Sequence, residues 1–351
     1  MLKYQIYKLA FHPAFSYPFF MRYRLSILFI IPVLFITSCT SISNTELADF
    51  QKICPIPGSE DMEAAVIDGQ NVIIISSAYR GPAEGPDGGI MAYMPDTGEL
   101  FTFGRDDSLE SFNPHGISTY QNKTVFVINH FRTEALSKHQ ILIYDIDLKS
   151  QSLRLQSILE HELLESPNDL KITTDGVLYI CNDRSRDGGI MEMLLGLKKS
   201  KVAAYNLNTQ EWFVAADKIA MANGVEETGG KLYIAATREN KIYQFDIEKD
   251  YRLTGKKVFA EVTGPDNFSW DGEYLYIAGH IDDFAFMNYI GSKDSLSPTV
   301  ISRIDPVTGK TAVIYQEDGR NISASSVAIR HKEDLILGQV ARDFIVRITL
   351  P

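Results

Sequence analysis

Six short segments of this 351-residue chain carry carboxylate, carboxamide, imidazole or hydroxyl side chains just ahead of a strongly apolar run. The first holds Glu60 and Asp61, the second His115, the third Asn168 and Asp169, the fourth Asn223, the fifth Asp266 and Asn267, and the sixth Ser323, Ser325 and Ser326. Carboxylates and carboxamides without thiolates form a hard-oxygen donor set, which suits calcium. Asn or Asp before a strand is also an ordinary turn residue, so each one taken alone reads as a turn. Five consecutive segments with a carboxylate, amide or imidazole at the equivalent place read as a site. Histidine adds chemistry: His115 opens the second segment, and His130 and His280 end the apolar runs of the second and fifth. An imidazole beside a metal, with a second imidazole behind it, can deprotonate water near neutral pH. His12, His139, His161 and His331 fall in the pre-sequence, loops or polar turns and read as solvated surface.

From Glu60 to Asn267 these residues span about 210 positions, so a repeating fold must bring them together. Runs rich in β-branched and aromatic residues recur at 72–76, 124–129, 177–181, 231–235, 274–278 and 334–338, with starts about 43–60 residues apart. A second run follows each, at 90–93, 141–146, 201–205, 241–247, 300–304 and 344–350. Most units show a third run after a turn signal such as Asp96-Thr97-Gly98 or Pro306-Val307-Thr308-Gly309. Units of this length point to an all-β, six-bladed β-propeller with four strands per blade. The oxygen-bearing segments would open the innermost strands, and equivalent positions of every blade converge on the axis. The last unit stops after its third strand, so a strand around 50–56 is expected to complete it and remove the open sheet edges. The clear helical candidate is 189–197, whose Met/Leu-rich face alternatively reads as a surface apolar patch.

The net charge of −11 argues against nucleic acid as a partner and offers no basic patch for anionic lipid. Met21-Arg22-Tyr23-Arg24 and the apolar run 25–36 have the make-up of a signal peptide, the run being too short to span a bilayer. Ile36-Thr37-Ser38-Cys39 is similar to the bacterial lipobox, in which the cysteine is acylated and becomes the new N-terminus. We therefore read 1–38 as a signal peptide with Met21 as the initiator, 39–53 as a lipid-anchored linker and 54–351 as the propeller. The expected location is the bacterial cell envelope, with Thr40 compatible with outer-membrane sorting and Cys39 holding the membrane. Cys54 and Cys181 then remain, either as two buried thiols or as a pair.

Several motifs resemble one family. Phe112-Asn113-Pro114-His115-Gly116-Ile117-Ser118 looks like the histidine motif of the paraoxonase/arylesterase family of lactonases. Gly58-Ser59-Glu60-Asp61-Met62-Glu63, Ser166-Pro167-Asn168-Asp169-Leu170 and Ala222-Asn223-Gly224 resemble its metal-binding segments. Glu192-Met193-Leu194-Leu195-Gly196-Leu197 is similar to its amphipathic active-site helix. The resemblance runs from Cys54 to the C-terminus and implies a six-bladed propeller with two calcium ions in its tunnel. Carried over by residue, it implies Glu60, Asn168, Asn223, Asp266 and Asn267 around a catalytic calcium. Asp61, Asp169 and the backbone carbonyl of Ile117 would hold a structural one. It also implies His115 and His130 as a catalytic dyad, His280 as pocket wall and Tyr79 near an active-site tyrosine, while Phe286 is expected in the pocket from the divergent loop.

Three departures stand out. Cys54 matches one partner of a disulfide known in mammalian members, but the chain ends Ile348-Thr349-Leu350-Pro351 without the other. Arg184 stands where the family has a pocket histidine, and the loop 281–297 diverges. The expected activity is calcium-dependent hydrolysis of lactones and aryl esters, with His115 or Asp266 as the base. The rival readings are a sugar lactonase of the gluconolactonase type and a non-catalytic, calcium-stabilised binding propeller.

Overall fold

The computed structural model describes residues 42–80, 88–292 and 294–351; Cys39 and the expected signal peptide lie outside them. The chain enters at β1 (Asp49–Ile53) and then builds six sheets in sequence. Blade one is β2 (Ser59–Ile67), β3 (Gln70–Ser77), β4 (Gly89–Met94) and β5 (Glu99–Thr102). The short β6 (Gly104–Arg105) pairs in parallel with the outer strand of blade two, which comprises β7 (Pro114–Tyr120), β8 (Thr124–Arg132), β9 (Ser137–Asp147) and β10 (Ser152–Leu159). Blade three is β11 (Pro167–Ile172), β12 (Val177–Asn182), β13 (Ser200–Asn206) and β14 (Glu211–Ile219). Blade four is β15 (Ala222–Thr228), β16 (Lys231–Ala236), β17 (Lys241–Ile247) and β18 (Leu253–Glu261). Blade five is β19 (Pro265–Trp270), β20 (Leu275–Gly279), β21 (Thr299–Ile304) and β22 (Thr311–Glu317). Blade six holds β23 (Ser325–His331), β24 (Asp334–Gln339) and β25 (Ile345–Thr349), and β1 pairs antiparallel with β25 as its fourth strand.

The ring closes as β2 packs on β7, β7 on β11, β11 on β15, β15 on β19, β19 on β23 and β23 back on β2. Apolar cores lie between blades rather than within one central body. One cluster joins Ile74 and Val127 across blades one and two, and another joins Ile180 and Ile128 across two and three. Further clusters follow between each later pair and between blades six and one. This arrangement explains the sequence pattern. The second strand of each blade is covered on both faces, so it reads as a continuous β-branched run and not as an alternation. The channel wall, which belongs to no core, is free to be polar.

Three expectations need correction. The blade begins before residue 54: residues 49–53, expected in the linker, form β1, and Thr45 and Ala48 are already hydrogen-bonded to Gln316 and Thr349. The helical candidate 189–197 contains the short α1 (Ile190–Leu194), but the divergent loop also folds into a helix, α2 (Asp283–Gly291). Its N-cap is Asp282, whose carboxylate accepts from the Ala285 N–H at 2.9 Å. Nine aromatic-rich residues carry no sustained 3.6 period, which hid this helix from pattern reading. Cys54 and Cys181 are unpaired, and only Cys181 is buried.

A chain starting at residue 54 should lose the β1 ladder and leave β25 as an open edge. Compared with one starting at Ile42, it should melt at a lower temperature and associate with rising concentration in light scattering. Equal melting temperatures would show that blade six closes without β1.

Candidate active site

All six innermost strands break register at the same level. The break falls between Ser59 and Asp61 in β2, Pro114 and Ile117 in β7, and Pro167 and Asp169 in β11. It falls between Ala222 and Val225 in β15, Pro265 and Phe268 in β19, and Ser325 and Val327 in β23. A bulge drops residues out of the ladder and re-aims their side chains. The residues dropped here include Glu60, His115, Asn168, Asn223, Asp266 and Asn267, the set expected to carry chemistry. Neighbouring strands approach so closely at this level that a Cβ on Gly116 would sit 2.6 Å from the Asn168 carbonyl oxygen. One on Gly224 would sit 2.3 Å from that of Asp266. Only glycine lets these two bulges nest.

The re-aimed side chains end in orphaned oxygens. Asn168 Oδ1, Asn223 Oδ1, Asp266 Oδ1 and Asn267 Oδ1 are buried and lack a hydrogen-bond partner. Glu60 Oε2 makes no aligned hydrogen bond either, although His115 Nε2 lies 2.9 Å away. Buried oxygens without partners are costly, and five from four blades at one level form a donor set for a hard cation. Among the described residues no three His, Cys, Asp and Glu side chains group as a metal site. Three of the five oxygens here belong to carboxamides, a chemistry that fits calcium and not zinc. The serines of blade six are satisfied instead: Ser326 donates to the Glu60 carbonyl at 2.6 Å and Ser325 to that of Gly338 at 2.8 Å.

One residue deeper, Asp61 and Asp169 clip blades together. Asp61 accepts from the N–H of Met62 at 2.8 Å and from that of Ile117, in the next blade, at 2.7 Å. Asp169 accepts from Leu170 at 2.7 Å and from Val225, in the next blade, at 2.8 Å. Burial raises both carboxyls well above the ordinary range; repulsion from Glu60 adds at Asp61, and repulsion from Asp61 adds at Asp169. Two mutually repelling buried carboxylates beside Ile117 fit a second cation.

The histidines form two groups. His115 Nδ1 lies 2.7 Å from His130 Nε2, joining the expected dyad. His130 Nδ1 in turn lies 2.8 Å from His139 Nδ1, so His139 is no solvated surface residue. Burial lowers His115, with Arg80 next, and lowers His130, with His115 next. His280 Nε2 bonds Asp266 Oδ2 at 2.7 Å, and its ring packs on Phe286 at 4.2 Å. Burial raises the carboxyl of Asp266, against the pull of His280. His161 and His331 are also engaged, one stacked on Trp212 at 4.8 Å and the other 3.0 Å from Asp96.

A cavity of about 180 Å3 opens over this level, lined by Glu60, His115, Asn168, Asn223, Asp266, His280 and Phe286. Met193 of α1 and Met287 of α2 add an apolar wall. Tyr289 anchors α2 by donating to Gln339 at 3.0 Å, and Phe284 stays exposed. Tyr79 and Arg184 are absent from the wall; Arg184 is partly exposed, 3.9 Å from Asp183. Arg80, which pattern reading missed, is in it: its guanidinium donates to the Pro114 carbonyl at 2.9 Å and lies 4.0 Å from Glu60. A larger cavity, about 440 Å3, opens at the other ends of the innermost strands. There Lys171 lies 3.0 Å from Glu63 and 2.9 Å from Glu226, so the charges are already paired. The orphaned oxygens make the first cavity the candidate site.

The arylesterase family model matches residues 95–346. Rat serum paraoxonase/arylesterase 1 is 30% identical over 261 residues, covering 70% of this chain and 71% of its own. The chain belongs to the arylesterase family. The human serum paraoxonase/arylesterase 1 is 27% identical over 311 residues, 81% of this chain and 83% of its own. Among solved structures, a gluconolactonase from Xanthomonas campestris superposes with a TM-score of 0.56 at 15% identity, covering 88% of this chain and 92% of its own. A regucalcin from Agrobacterium tumefaciens, described as a calcium-binding protein, gives 0.56 at 11%, covering 89% and 98%. At such identities these two speak for the fold alone.

Raised carboxyls and lowered imidazoles act in opposite senses on stability. The histidines, neutral in the fold, oppose folding only below about pH 6.5, where the unfolded chain protonates them. A carboxyl raised on folding stabilises at low pH and loses that contribution as pH climbs through its folded value. In EDTA, an Asp61→Asn variant should therefore lose less melting temperature with rising pH than the parent, because it lacks one raised carboxyl. Parallel profiles would mean that Asp61 ionises without cost in the fold.

Proposed function

We propose that this protein hydrolyses lactones and aryl esters and depends on calcium to do so. The observation that carries the reading is that four of the five residues with orphaned buried oxygens, Glu60, Asn168, Asn223 and Asp266, line a cavity that also holds His115. Glu60, Asn168, Asn223, Asp266 and Asn267 would hold one calcium ion, and Asp61, Asp169 and the Ile117 carbonyl a structural one. When bound, the first ion would supply an electrophile that polarises the substrate carbonyl and balances the negative charge developing on its oxygen.

The remaining work falls to side chains. His115 is kept neutral by burial, so its Nε2 can take a proton from water, while its Nδ1 is held by His130. Asp266 is a poorer base, because His280 holds its Oδ2 and its Oδ1 belongs to the donor set. Arg80 lies close enough to Glu60 to fix the carboxylate's orientation. Met193, Phe286 and Met287 exclude water from the cavity wall and favour substrates with an apolar acyl chain. We further propose that the protein is exported and acylated on Cys39. A Cys39→Ala variant should then fail to take up labelled palmitate and leave the membrane fraction; unchanged labelling would refute the anchor.

Turnover should be assayed on short- and long-chain lactones, first with excess calcium and then with EDTA. Chelation should abolish turnover, and His115→Gln should lower kcat by about 10²- to 10⁴-fold. Activity within about twofold of the parent would remove His115 from the base role, a loss of general-base catalysis being far larger. Calcium that raises the melting temperature without turnover of any lactone would identify a binding propeller instead.

A further inference from the structure

Blade two carries three imidazoles in a row. His115 is on the innermost strand β7, His130 on β8 and His139 on β9, directly opposite His130 in the β8–β9 register. The rings therefore step outward from the channel one strand at a time. His115 and His130 are edge to face at 5.0 Å between centroids, and His130 and His139 at 4.9 Å. Their nitrogens meet at 2.7 and 2.8 Å, both hydrogen-bond distances.

The nitrogens that meet decide the tautomers. A neutral imidazole has one N–H and one lone pair, so each contact in the row needs one donor and one acceptor. Were His139 to donate from Nδ1, His130 would carry its proton on Nε2 and donate to His115 Nδ1. His115 would then carry its own proton on Nε2, toward Glu60 2.9 Å away, and could not take one from water. Were His139 to accept at Nδ1, the order reverses. His130 donates from Nδ1, its Nε2 accepts from His115 Nδ1–H, and His115 Nε2 presents a lone pair to the cavity. A dyad alone leaves this choice open; in the row it turns on whether the third ring donates or accepts.

We propose that His139 is a positioning residue for the hydrolytic base: its Nδ1 accepts the Nδ1–H of His130, setting the tautomer of His115 and opening an outward path for the proton. The inference rests on the hydrolase reading above. When His115 Nε2 takes a proton from the attacking water, its Nδ1 proton passes to His130 Nε2 and the Nδ1 proton of His130 to His139 Nδ1. His139 Nε2, on the far side of the ring, releases its proton outward. The path run in reverse delivers a proton through His115 Nε2 to the leaving alkoxide, and each ring regains its starting tautomer. Burial decreases along the row, from His115 through His130 to the half-buried His139. Burial disfavours the charged form of His139, and Arg184, Arg132 and Arg186 around it act in the same sense. A proton reaching His139 is therefore passed on. Arg80 and Arg132 face His130; Arg80, Arg184 and Asp266 face His115.

The test is a pair of variants in the calcium-loaded full chain. His139→Phe removes the acceptor and should lower kcat by about tenfold or more, the low side of general acid–base effects, with KM within about twofold of the parent. Imidazole added to the buffer should restore part of that kcat. His139→Gln keeps an oxygen acceptor for His130 and should retain more activity, with buffer dependence in place of intrinsic proton transfer. A kcat for His139→Phe within about twofold of the parent, unmoved by imidazole, would overturn the proposal. A second readout needs no turnover: nitrogen-15 chemical shifts of the ring nitrogens should place the protons of His115 and His130 on Nδ1 and that of His139 on Nε2. The opposite tautomers would overturn the proposal even in an active enzyme. The predicted tautomers in a protein that hydrolyses no lactone would overturn the hydrolase reading alone and leave the row intact.

Discussion

The bulge that opens every innermost strand is the constraint on which this site depends. A regular ladder would alternate side chains between the two faces of the sheet, into the cores that join neighbouring blades. Dropping one or two residues from the ladder at the same level in all six blades turns polar side chains along the channel instead. The strands then approach so closely that Gly116 and Gly224 are required, and the displaced Glu60, Asn168, Asn223, Asp266 and Asn267 end at one level. Irregular backbone in the ladder is thus the source of the orphaned oxygens.

That arrangement has an electrostatic consequence. Burial disfavours the charged forms of Glu60, Asp61, Asp169 and Asp266 together, and several of them repel one another. The other end of the same channel solves a similar problem with its own side chains, by placing Lys171 between Glu63 and Glu226 in ion pairs. At the cavity end, Arg80 and His280 offset only part of the acidity, and the carboxamides of Asn168, Asn223 and Asn267 bring oxygens without adding charge. The difference between the two ends separates structural ion pairing from a site suited to an exchangeable cation.

The cavity wall comes from outside the repeat. α1 interrupts blade three between β12 and β13, and α2 interrupts blade five between β20 and β21. Each therefore rides on a loop at the channel mouth, where insertions leave the ladders intact. Met193 and Met287 face the cavity from these two helices, with Phe286 against His280. Ring geometry belongs to the blades, while the apolar wall of the cavity belongs to these insertions.

Blade number, strand order, the closing strand and the types of donor were legible in the sequence, because each follows from local patterns: β-branched runs about fifty residues apart, turn signals, and polar residues ahead of the runs. The resemblance of the motifs around His115 and Asn168 suggested roles that periodicity could not. What the sequence left hidden depends on neighbours that are distant along the chain or packed across strands. Arg80 enters the cavity wall because its blade turns it toward Pro114 and Glu60, and α2 forms over nine residues with little periodic signal. His139 looked like an exposed loop residue, and only the β8–β9 register sets it opposite His130. Residue types and repeat period are properties of the chain itself. Which nitrogen meets which, and which oxygen is left without a partner, are decided only when strands from different blades are brought within hydrogen-bond distance.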